Sequence, residues 1–584
     1  PSEASSAPAV EDRPASVPVA AQEPRTRGSR RATKDEKLAA IAGRYAGVAL
    51  VCEPGAAWLA KPFAVDHEPQ EMHPPKDADL GELLDAAAGM NLGHADGHGQ
   101  HWASPHALGQ VWILPALRRA LKLPASMSNE ARKQQRQARE AIAAAGWELL
   151  GKDEGLAAPW MRIRRPEAEG RPEVLLRLVV PEWANEFDDK HAIWAGEDGT
   201  MCAPEVLAWR LARFAATTST AFYWSASTTG MQMISVTRHR LTLNHREAPA
   251  IMPPPAWDSN REAPLNWRRR PTSAEADRKW IVELDVNAAY LGAARTPLAW
   301  GPYVHLDAPG AAELKRPGYV LAEVPVWEDK LLPDPFTVTG RGNHKGEDGR
   351  DLLWLSTPSL EIARDLLGWD VPIREAWLAA ETMPGRYEGS RSVPGAGEPG
   401  GRAHGKILDL WADHLSAART ELREGTYAED AAVLRVVKDT YGHAVGALAK
   451  NSQRPAKEGQ AAGDARWRPD WRHQIISKAR WGMVRRMLAA AETGVYPLAV
   501  ATDAVYIATD TPPPTDDEVA ADLTLSSVGI PAGFTRGSKV GNVKVQAVAP
   551  MTSEIIATLQ GSTIKGDDGQ PRGLAALVRN GGRA

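Results

Sequence analysis

The 584-residue sequence has only two cysteines, Cys52 and Cys202. Two thiols cannot build a disulfide framework or a cysteine-rich zinc site, which points to a reducing cytosol. The sequence also lacks long hydrophobic runs. Charges break each apolar stretch well before the ~18–20 residues that a spanning helix needs, which argues against a membrane protein. No charged, apolar, small-residue signal peptide opens the chain. Net charge of one sign is missing too: the formal balance is −4, so composition alone carries no nucleic-acid signal. Phenylalanine is scarce, 6 residues against 21 tryptophans. Composition leaves that bias unexplained, since Ala-, Gly- and Arg-rich usage is also what a GC-rich genome gives. No repeat of 20–50 residues is visible. The length exceeds what one hydrophobic core organises, so three or four domains are expected.

Residues 1–35 are rich in Pro, Ala and Ser without apolar periodicity and read as a disordered tail or linker. Loss of an initiator Met before Pro1 or a longer parent chain would each account for such a start. Ala46–Cys52 reads as a strand, 108–124 as short elements broken at Pro115 and Pro124, and 128–146 as a helix. Val174–Val180 is expected as a strand, 203–216 as an amphipathic helix, 231–237 as a strand, and 246–279, with Arg268–Arg270, as an interdomain linker. Strand Ile281–Val286 follows. Residues 352–371 read as strand, Pro-started helix and Gly stop. Gly-rich 388–405 reads as a mobile loop, 406–423 and 428–449 as helices, 452–465 as a second loop, and 472–491 as a basic helix. Leu498–Ala508 resembles a hairpin, and the last strand lies near 541–548.

Two carboxylates stand in unusual places. Asp285 closes the apolar strand "IVELDV", and Asp503 lies in "YPLAVATDAVYIA" at the bend of the hairpin. A carboxylate on an apolar strand costs free energy unless it is paired or binds a cation. Each alone reads more readily as an ordinary turn residue or a helix cap. If the hairpin pairs beside 281–286, the two converge, and converging carboxylates with a nucleoside triphosphate make a two-metal magnesium site.

The surroundings add to this. Tyr290 follows Asp285 by five residues, Lys438 and Gly446 lie eight apart in "KDTYGHAVG", and Lys544 follows the hairpin. That order resembles the palm and fingers of family B DNA polymerases, most closely the protein-primed branch. The resemblance covers about 281–548. Read with "LDVNAAYLGAA" and "RWRPDWRHQIISKARWGMVRRM", the chain is most similar to the telomere-associated proteins (Tap) of bacterial linear replicons.

The resemblance implies a multidomain α/β fold with an α+β palm. Its parts would be a tail (1–35), an N-terminal mixed module (36–155), a degenerate exonuclease-like α/β domain with linker (156–270) and a first palm part (271–405). Helical fingers (406–465), a second palm part (466–550) and a short C-terminal segment, a reduced thumb or tail (551–584), would follow. It implies a cytoplasmic, nucleoid-associated nucleotidyltransferase. Its partners would be telomeric DNA with a 3′ single-stranded overhang and a terminal protein, its substrates deoxynucleoside triphosphates, and its cofactor two Mg²⁺ or Mn²⁺ ions. Asp285 and Asp503 would hold the metals, Lys438 the triphosphate and Lys544 a primer phosphate. Tyr290 would stack under the sugar, although a core aromatic serves equally. Arg435 shares the helical face of Lys438, but a solvated face is the preferred reading.

The departures also bear on function. Ala501 replaces an aspartate, Gly442 and His443 replace asparagine and serine, and Val445 replaces tyrosine. Strand Val174–Val180 ends in Pro181-Glu182 rather than an aspartate-x-glutamate pair, and Glu186, Asp188 and Asp189 read as a solvated turn. No proofreading is therefore expected. A catalytically silent protein that binds overhangs and recruits the terminal protein is the alternative.

The clearest nucleic-acid segment is 466–486, at +6 net. It offers Arg466, Arg468, Arg472, Lys478, Arg480, Arg485 and Arg486 interleaved with Trp467, Trp471 and Trp481. Cations with aromatic faces suit phosphate neutralisation and base stacking. Part of this set is expected to be plain surface, and Trp481 reads as well as core. His94, His98, His101 and His106 with Asp96 fit no standard metal spacing and read as a polar loop.

Overall fold

The structure, a computed structural model, describes residues 47–93 (63 excepted), 109–125, 132–150, 160–168, 173–184, 191–238 (197 excepted), 252–382 (259, 342 and 347 excepted), 403–450, 467–565 and 571–581. The tail 1–35, the His94–His106 cluster, Glu186, Asp188 and Asp189, most of 388–405, the loop 452–465 and Arg466 lie outside the described residues.

Seven strands form the first sheet, in the order β3-β2-β1-β4-β7-β6-β5. They are β1 (Ala49–Glu53), β2 (Ala56–Ala60), β3 (Gln70–Met72), β4 (Gln110–Ile113), β5 (Glu148–Leu150), β6 (Trp160–Arg165) and β7 (Val174–Val179). β1, β4 and β7 run parallel at its centre. Their sequences are apolar on both faces because both faces are covered. Val51, Trp112 and Val179 meet α1 (Pro204–Thr218), whereas Cys52, Ile113 and Leu178 meet helices Leu80–Gly89 and Arg132–Ala144. The sheet takes strands from both sides of residue 155, so the expected division between 36–155 and 156–270 falls inside one folded unit. β1 ends in Cys52-Glu53 and β7 runs into Pro181-Glu182, neither with an aspartate-x-glutamate pair.

Residues 231–237, expected as a strand, belong to α2 (Ala226–Arg238). A short apolar run such as "MQMISV" does not separate strand from buried helix. Here the Ser225 hydroxyl accepts from the Thr228 amide at the helix start. Gly230 then allows a close crossing: a Cβ there would stand 2.3 Å from the Thr440 carbonyl oxygen.

The five-stranded sheet has the order β18-β9-β17-β16-β8, antiparallel throughout. Its strands are β8 (Asn266–Arg268), β9 (Trp280–Val286), β16 (Pro497–Ala501), β17 (Ala504–Thr509) and β18 (Val543–Pro550). β8 comes from the segment expected as a linker. Arg269 is buried beside it, donating to the Pro497 carbonyl at 2.9 Å and to Glu275 at 2.5 and 2.6 Å. A neighbouring four-stranded sheet, β11-β14-β12-β13, is built from β11 (Tyr303–Leu306), β12 (Gly318–Val324), β13 (Asp351–Ser356) and β14 (Ile373–Ala379). β10 (Leu298–Ala299) pairs with β15 (His404–Gly405), so the expected loop 388–405 ends in a strand.

β9 is covered on both faces. Val282, Leu284 and Val286 pack with Met483, Val484 and Met487 of α6 (Pro469–Glu492). On the other face Ile281 packs under α7 (Ser553–Leu559) and α8 (Leu574–Gly581), joined through β19 (Ile564–Lys565) and β20 (Pro571–Arg572). The described residues after 550 are thus folded onto the five-stranded sheet rather than forming a tail. Helices α4 (Asp409–Glu424) and α5 (Asp430–Ala447) pack with α1 and α2 in a shared core. Arg213 of α1 clamps their ends: Nε donates to Asp430 and Nη1 to Glu421, each at 2.8 Å.

Candidate active site

The hairpin β16–β17 pairs beside β9 as its sequence suggests, with Ala504 opposite Asp285. The tip is held in a conformation L-residues rarely adopt, with Thr502 at φ 60°. The Thr502 amide donates to the Leu265 carbonyl at 2.8 Å, and the Asp503 carbonyl accepts from the Val286 amide at 2.9 Å. Just past Asp285 the chain is again left-handed, at Ala288 with φ 49°. Strained backbone beside both carboxylates persists because surrounding contacts over-determine it.

The carboxylates are electrostatically coupled. Burial, and then the negative charge of Asp285, push the Asp503 carboxyl up to about 6. Lys544, opposite Asp285 across β9 and β18, places Nζ 2.9 Å from Asp285 Oδ2. Ala501 is exposed and offers no carboxylate at the hairpin tip. Among the described residues no group of three or more His, Cys, Asp or Glu is arranged to hold a metal ion. Asp285 and Asp503 are the two coupled carboxylates here, and carboxylate oxygens are the donor type that a hard cation such as Mg²⁺ takes.

A cavity of ≈ 660 Å³ is lined by Lys544, the ion-pair partner of Asp285. Arg419 and Arg423 of α4, Lys438 of α5, and Arg295, Lys539 and Lys544 line it, with Asn287 on its floor. Its lining holds one acid, Glu424. Arg419 is buried, its Nε has no hydrogen-bond acceptor among the described residues, and its Nη2 stands 3.5 Å from Asn287 Oδ1. The Lys438 ammonium is shifted down by desolvation and then by the charges of Lys544, Arg419 and Arg423, with Asp285 opposing. Asp285 faces Lys544, Asp413 pairs with Arg295 and Glu424 lines the wall; six cations against these three acids favour an anionic ligand. Tyr441 lies three residues after Lys438 on α5. Burial and the charges of Asp503 and Asp285 raise its hydroxyl to about 12, against the lowering charge of Arg419.

Tyr290, on α3 (Ala289–Ala293), faces the other side of Asp503. It lines a second cleft of ≈ 190 Å³ with Asp503, Lys478, Trp481, Arg485 and Arg486. Burial and the Asp503 charge raise its hydroxyl to about 12, with Arg472 lowering it. Arg435 lines neither space.

The basic segment divides. Lys478, Arg485 and Arg486 flank the cleft, with Lys478 Nζ 4.0 Å and the Arg485 guanidinium 5.2 Å from the Trp481 ring centroid. Lys478 also pairs with Glu361 at 2.7 Å, and Arg486 donates to the Gly482 carbonyl at 2.8 Å. Three expected nucleic-acid contacts are buried instead. Trp467 packs against Trp257, Arg468 pairs with Asp470, and Arg480 is shut in with Glu262, Ser359 and Thr337. Trp471 is also core, its indole NH donating to the Ala299 carbonyl. Helix α6 is buried for half its length, so its charges serve the fold as well as the surface. Arg472 is half-buried near Tyr290.

Sequence reading missed Arg295, Arg419, Arg423, Lys539, Asn287 and Tyr441. Tyr441 is legible three residues after Lys438, and the Arg419/Arg423 pair has the i, i+4 spacing of one helical face. Gly442, His443 and Gly446 face away from Asp285, into a separate cavity of ≈ 480 Å³ shared with His191 and Trp224.

A family profile described as "Domain of unknown function (DUF8841)" matches residues 59–221, within the first sheet and α1. No curated protein sequence matches the chain. Among solved structures, the chain is similar to Phi29 DNA polymerase complexed with primer-template DNA and incoming nucleotide. Identity is 12%, coverage 86% of this chain and 84% of that one, and the TM-score 0.41. The orthorhombic crystal form of Phi29 DNA polymerase gives 10% identity, 90% and 88% coverage and a TM-score of 0.38. No helix among the described residues is long and apolar enough to cross a membrane.

Proposed function

We propose that this chain is a DNA polymerase-like nucleotidyltransferase acting at the ends of linear DNA, with a terminal-protein hydroxyl or the strand grown from it as primer. One observation carries the reading: a cavity lined by six basic side chains opens beside two coupled carboxylates, joined to them by the Lys544–Asp285 contact. A compact polyanion and a hard cation are the ligands such a pair of neighbours takes together.

Arg419, Arg423 and Lys438 bind and orient the triphosphate tail, which positions its α-phosphate at the carboxylates. Asp285 and Asp503 hold Mg²⁺ or Mn²⁺, which when bound polarises the phosphoryl oxygens and lowers the pKa of the attacking hydroxyl. Lys544 turns from Asp285 to a primer phosphate. Tyr290 stacks under the sugar and excludes a 2′-hydroxyl. Arg485 and Arg486, with Trp481 between the cations, form the part of α6 that meets DNA. Ends with a 3′ single-stranded overhang are the DNA this assignment implies.

The test is nucleotide incorporation with Mg²⁺ or Mn²⁺, terminal protein and telomeric DNA. Incorporation is expected from the wild type and lost in the Asp285→Ala/Asp503→Ala variant. Incorporation that survives in the double variant sinks the assignment.

A second reading, a catalytically silent protein that binds overhangs and recruits the terminal protein, is favoured by Lys544 occupying Asp285 and by Ala501. On that reading the double variant still maintains linear ends in the cell.

A further inference from the structure

The turn that joins α4 to α5 is held by side chains of the first-sheet unit. Arg213 of α1, which donates to Asp430 and Glu421, bridges one acid on each helix, and its guanidinium lies 5.2 Å from the Tyr427 ring centroid. Arg210 donates from Nε to Glu429 at 2.7 Å and from Nη1 to the Ile193 and Ala195 carbonyls at 2.9 and 2.7 Å. The Tyr427 hydroxyl donates to Asp66 at 2.8 Å, and the Asp66 carbonyl accepts from the Trp209 indole NH at 2.9 Å. Asp66 and His67 are both left-handed, at φ 55° and 58°. Successive L-residues in that region persist only where surrounding contacts over-determine them.

The turn is also tied to itself. Asp430 Oδ2 accepts from the Tyr427 amide at 3.3 Å, and a Cβ on Gly425 would stand 1.9 Å from that oxygen. The Arg213 and Asp430 side chains are 6% and 4% exposed. Farther along α5, the close crossing of Gly230 at Thr440 fixes the middle of the helix.

The opposite faces of the same two helices line the basic cavity. Glu421 lies two residues from both Arg419 and Arg423, about 200° round the helix. Lys438 stands in the same relation to Thr440 on α5. Like charges at Arg419, Arg423 and Lys438 push α4 and α5 apart in the absence of an anion. The Arg213 bridge draws them together from behind.

We infer that Arg213 is a positioning residue for this cavity: by tying α4 and α5 to the first-sheet unit it keeps Arg419, Arg423 and Lys438 in place in the empty protein, so that a triphosphate enters a formed site before DNA is bound. This rests on the reading of the cavity as the triphosphate site. A site formed in advance binds more tightly because fewer groups are ordered on binding.

The competing role is structural, with the bridge serving stability alone. Glu421→Ala/Tyr427→Phe separates the two. It removes the link to α4 and the link to Asp66, and it leaves buried Asp430 paired with Arg213. The Glu421 side chain is 41% exposed, and thermal melting checks that the variant is folded. The full chain is titrated calorimetrically with dGTP and Mg²⁺, alone and with a primer–template whose primer ends in a dideoxynucleotide. Wild type is expected to bind dGTP in both conditions. The variant is expected to bind dGTP alone roughly tenfold more weakly, with its Kd for primer–template within about twofold of wild type. Loss of an acid near a basic cavity would by itself tighten triphosphate binding, so weakening reads position and not charge. Wild-type or tighter dGTP affinity in the folded variant overturns the inference alone. So does a wild type that binds dGTP only with primer–template, which leaves the triphosphate reading standing. A wild type that binds dGTP in neither condition overturns that reading as well.

Discussion

Lys544 Nζ stands 2.9 Å from Asp285 Oδ2, its register partner across β9 and β18. The ammonium occupies the carboxylate that a divalent cation would need, so cation binding must displace it. Lys544→Met removes the competitor and leaves the two acids without a neighbouring countercharge. Mn²⁺ affinity of the nucleotide-free protein is expected to rise, by about tenfold or ~1.4 kcal/mol. Isothermal titration calorimetry measures it. An unchanged affinity would mean that the lysine does not compete for the site.

Two arginines five residues apart on α6 are expected to behave in opposite ways. Arg480 is 2% exposed, and its partner Glu262 is 0% exposed. Arg480→Met strands that carboxylate in the core and should cost about 3–5 kcal/mol of stability. Arg485 is exposed over the Trp481 ring. Arg485→Ala should leave melting unchanged within about 0.5 kcal/mol and weaken single-stranded DNA binding with a shallower salt dependence. Equal melting of the two variants would contradict the burial argument.

Asp503 gives the structure a pH dependence whose sign can be worked out. Its carboxyl is raised from an ordinary 3.8 to about 6, by burial first and by Asp285 second. Between those values the folded chain keeps a proton that the unfolded chain has released. The associated stability is therefore fully present below about pH 4 and lost as pH rises through 6. Two pH units set a ceiling of about 3 kcal/mol, and partial solvent access reduces it to roughly 1–2. Asp503→Asn should melt higher than wild type at pH 8 in chelator, with the gap closing near pH 4. Identical melting at pH 8 would show that the carboxyl ionises there at no cost.

The strand carrying Asp285 and the hairpin carrying Asp503 were legible because apolar period and turn chemistry agree there. "IVELDV" has one acid too many for a strand covered on both faces, and Thr502-Asp503 sits between two apolar runs. Residues 231–237 were misread because length and β-branching cannot distinguish a buried strand from a helix that continues through Gly230. The basic segment misled in a different way. Charge counted along the chain says nothing of which residues turn inward, and Arg468 and Arg480 found Asp470 and Glu262 across large sequence separations or tight local turns. The anion cavity was largely invisible for the same reason: Arg295, Arg419, Lys438 and Lys539 lie far apart in sequence, and only the docking of α4 and α5 against α3 brings them together.

Arg419 offers the sharpest test of that cavity. It is buried, its Nε lacks an acceptor among the described residues, and its Nη2 stands 3.5 Å from Asn287 Oδ1. A buried guanidinium short of acceptors costs stability unless a ligand supplies them. Arg419→Met should therefore keep or raise the melting temperature of the ligand-free protein while weakening triphosphate binding by tenfold or more. The KM for deoxynucleotide should rise, while the Kd for primer–template stays within about twofold, because the residue lies on the triphosphate side of Asp285 and away from the α6 cleft. Differential scanning fluorimetry with and without a deoxynucleoside triphosphate reads both effects in one experiment. Wild-type protein gains thermal stability from the nucleotide, and the variant does not. If Arg419→Met melts lower without ligand and is stabilised by nucleotide as fully as wild type, the arginine holds the fingers in place and the triphosphate binds elsewhere.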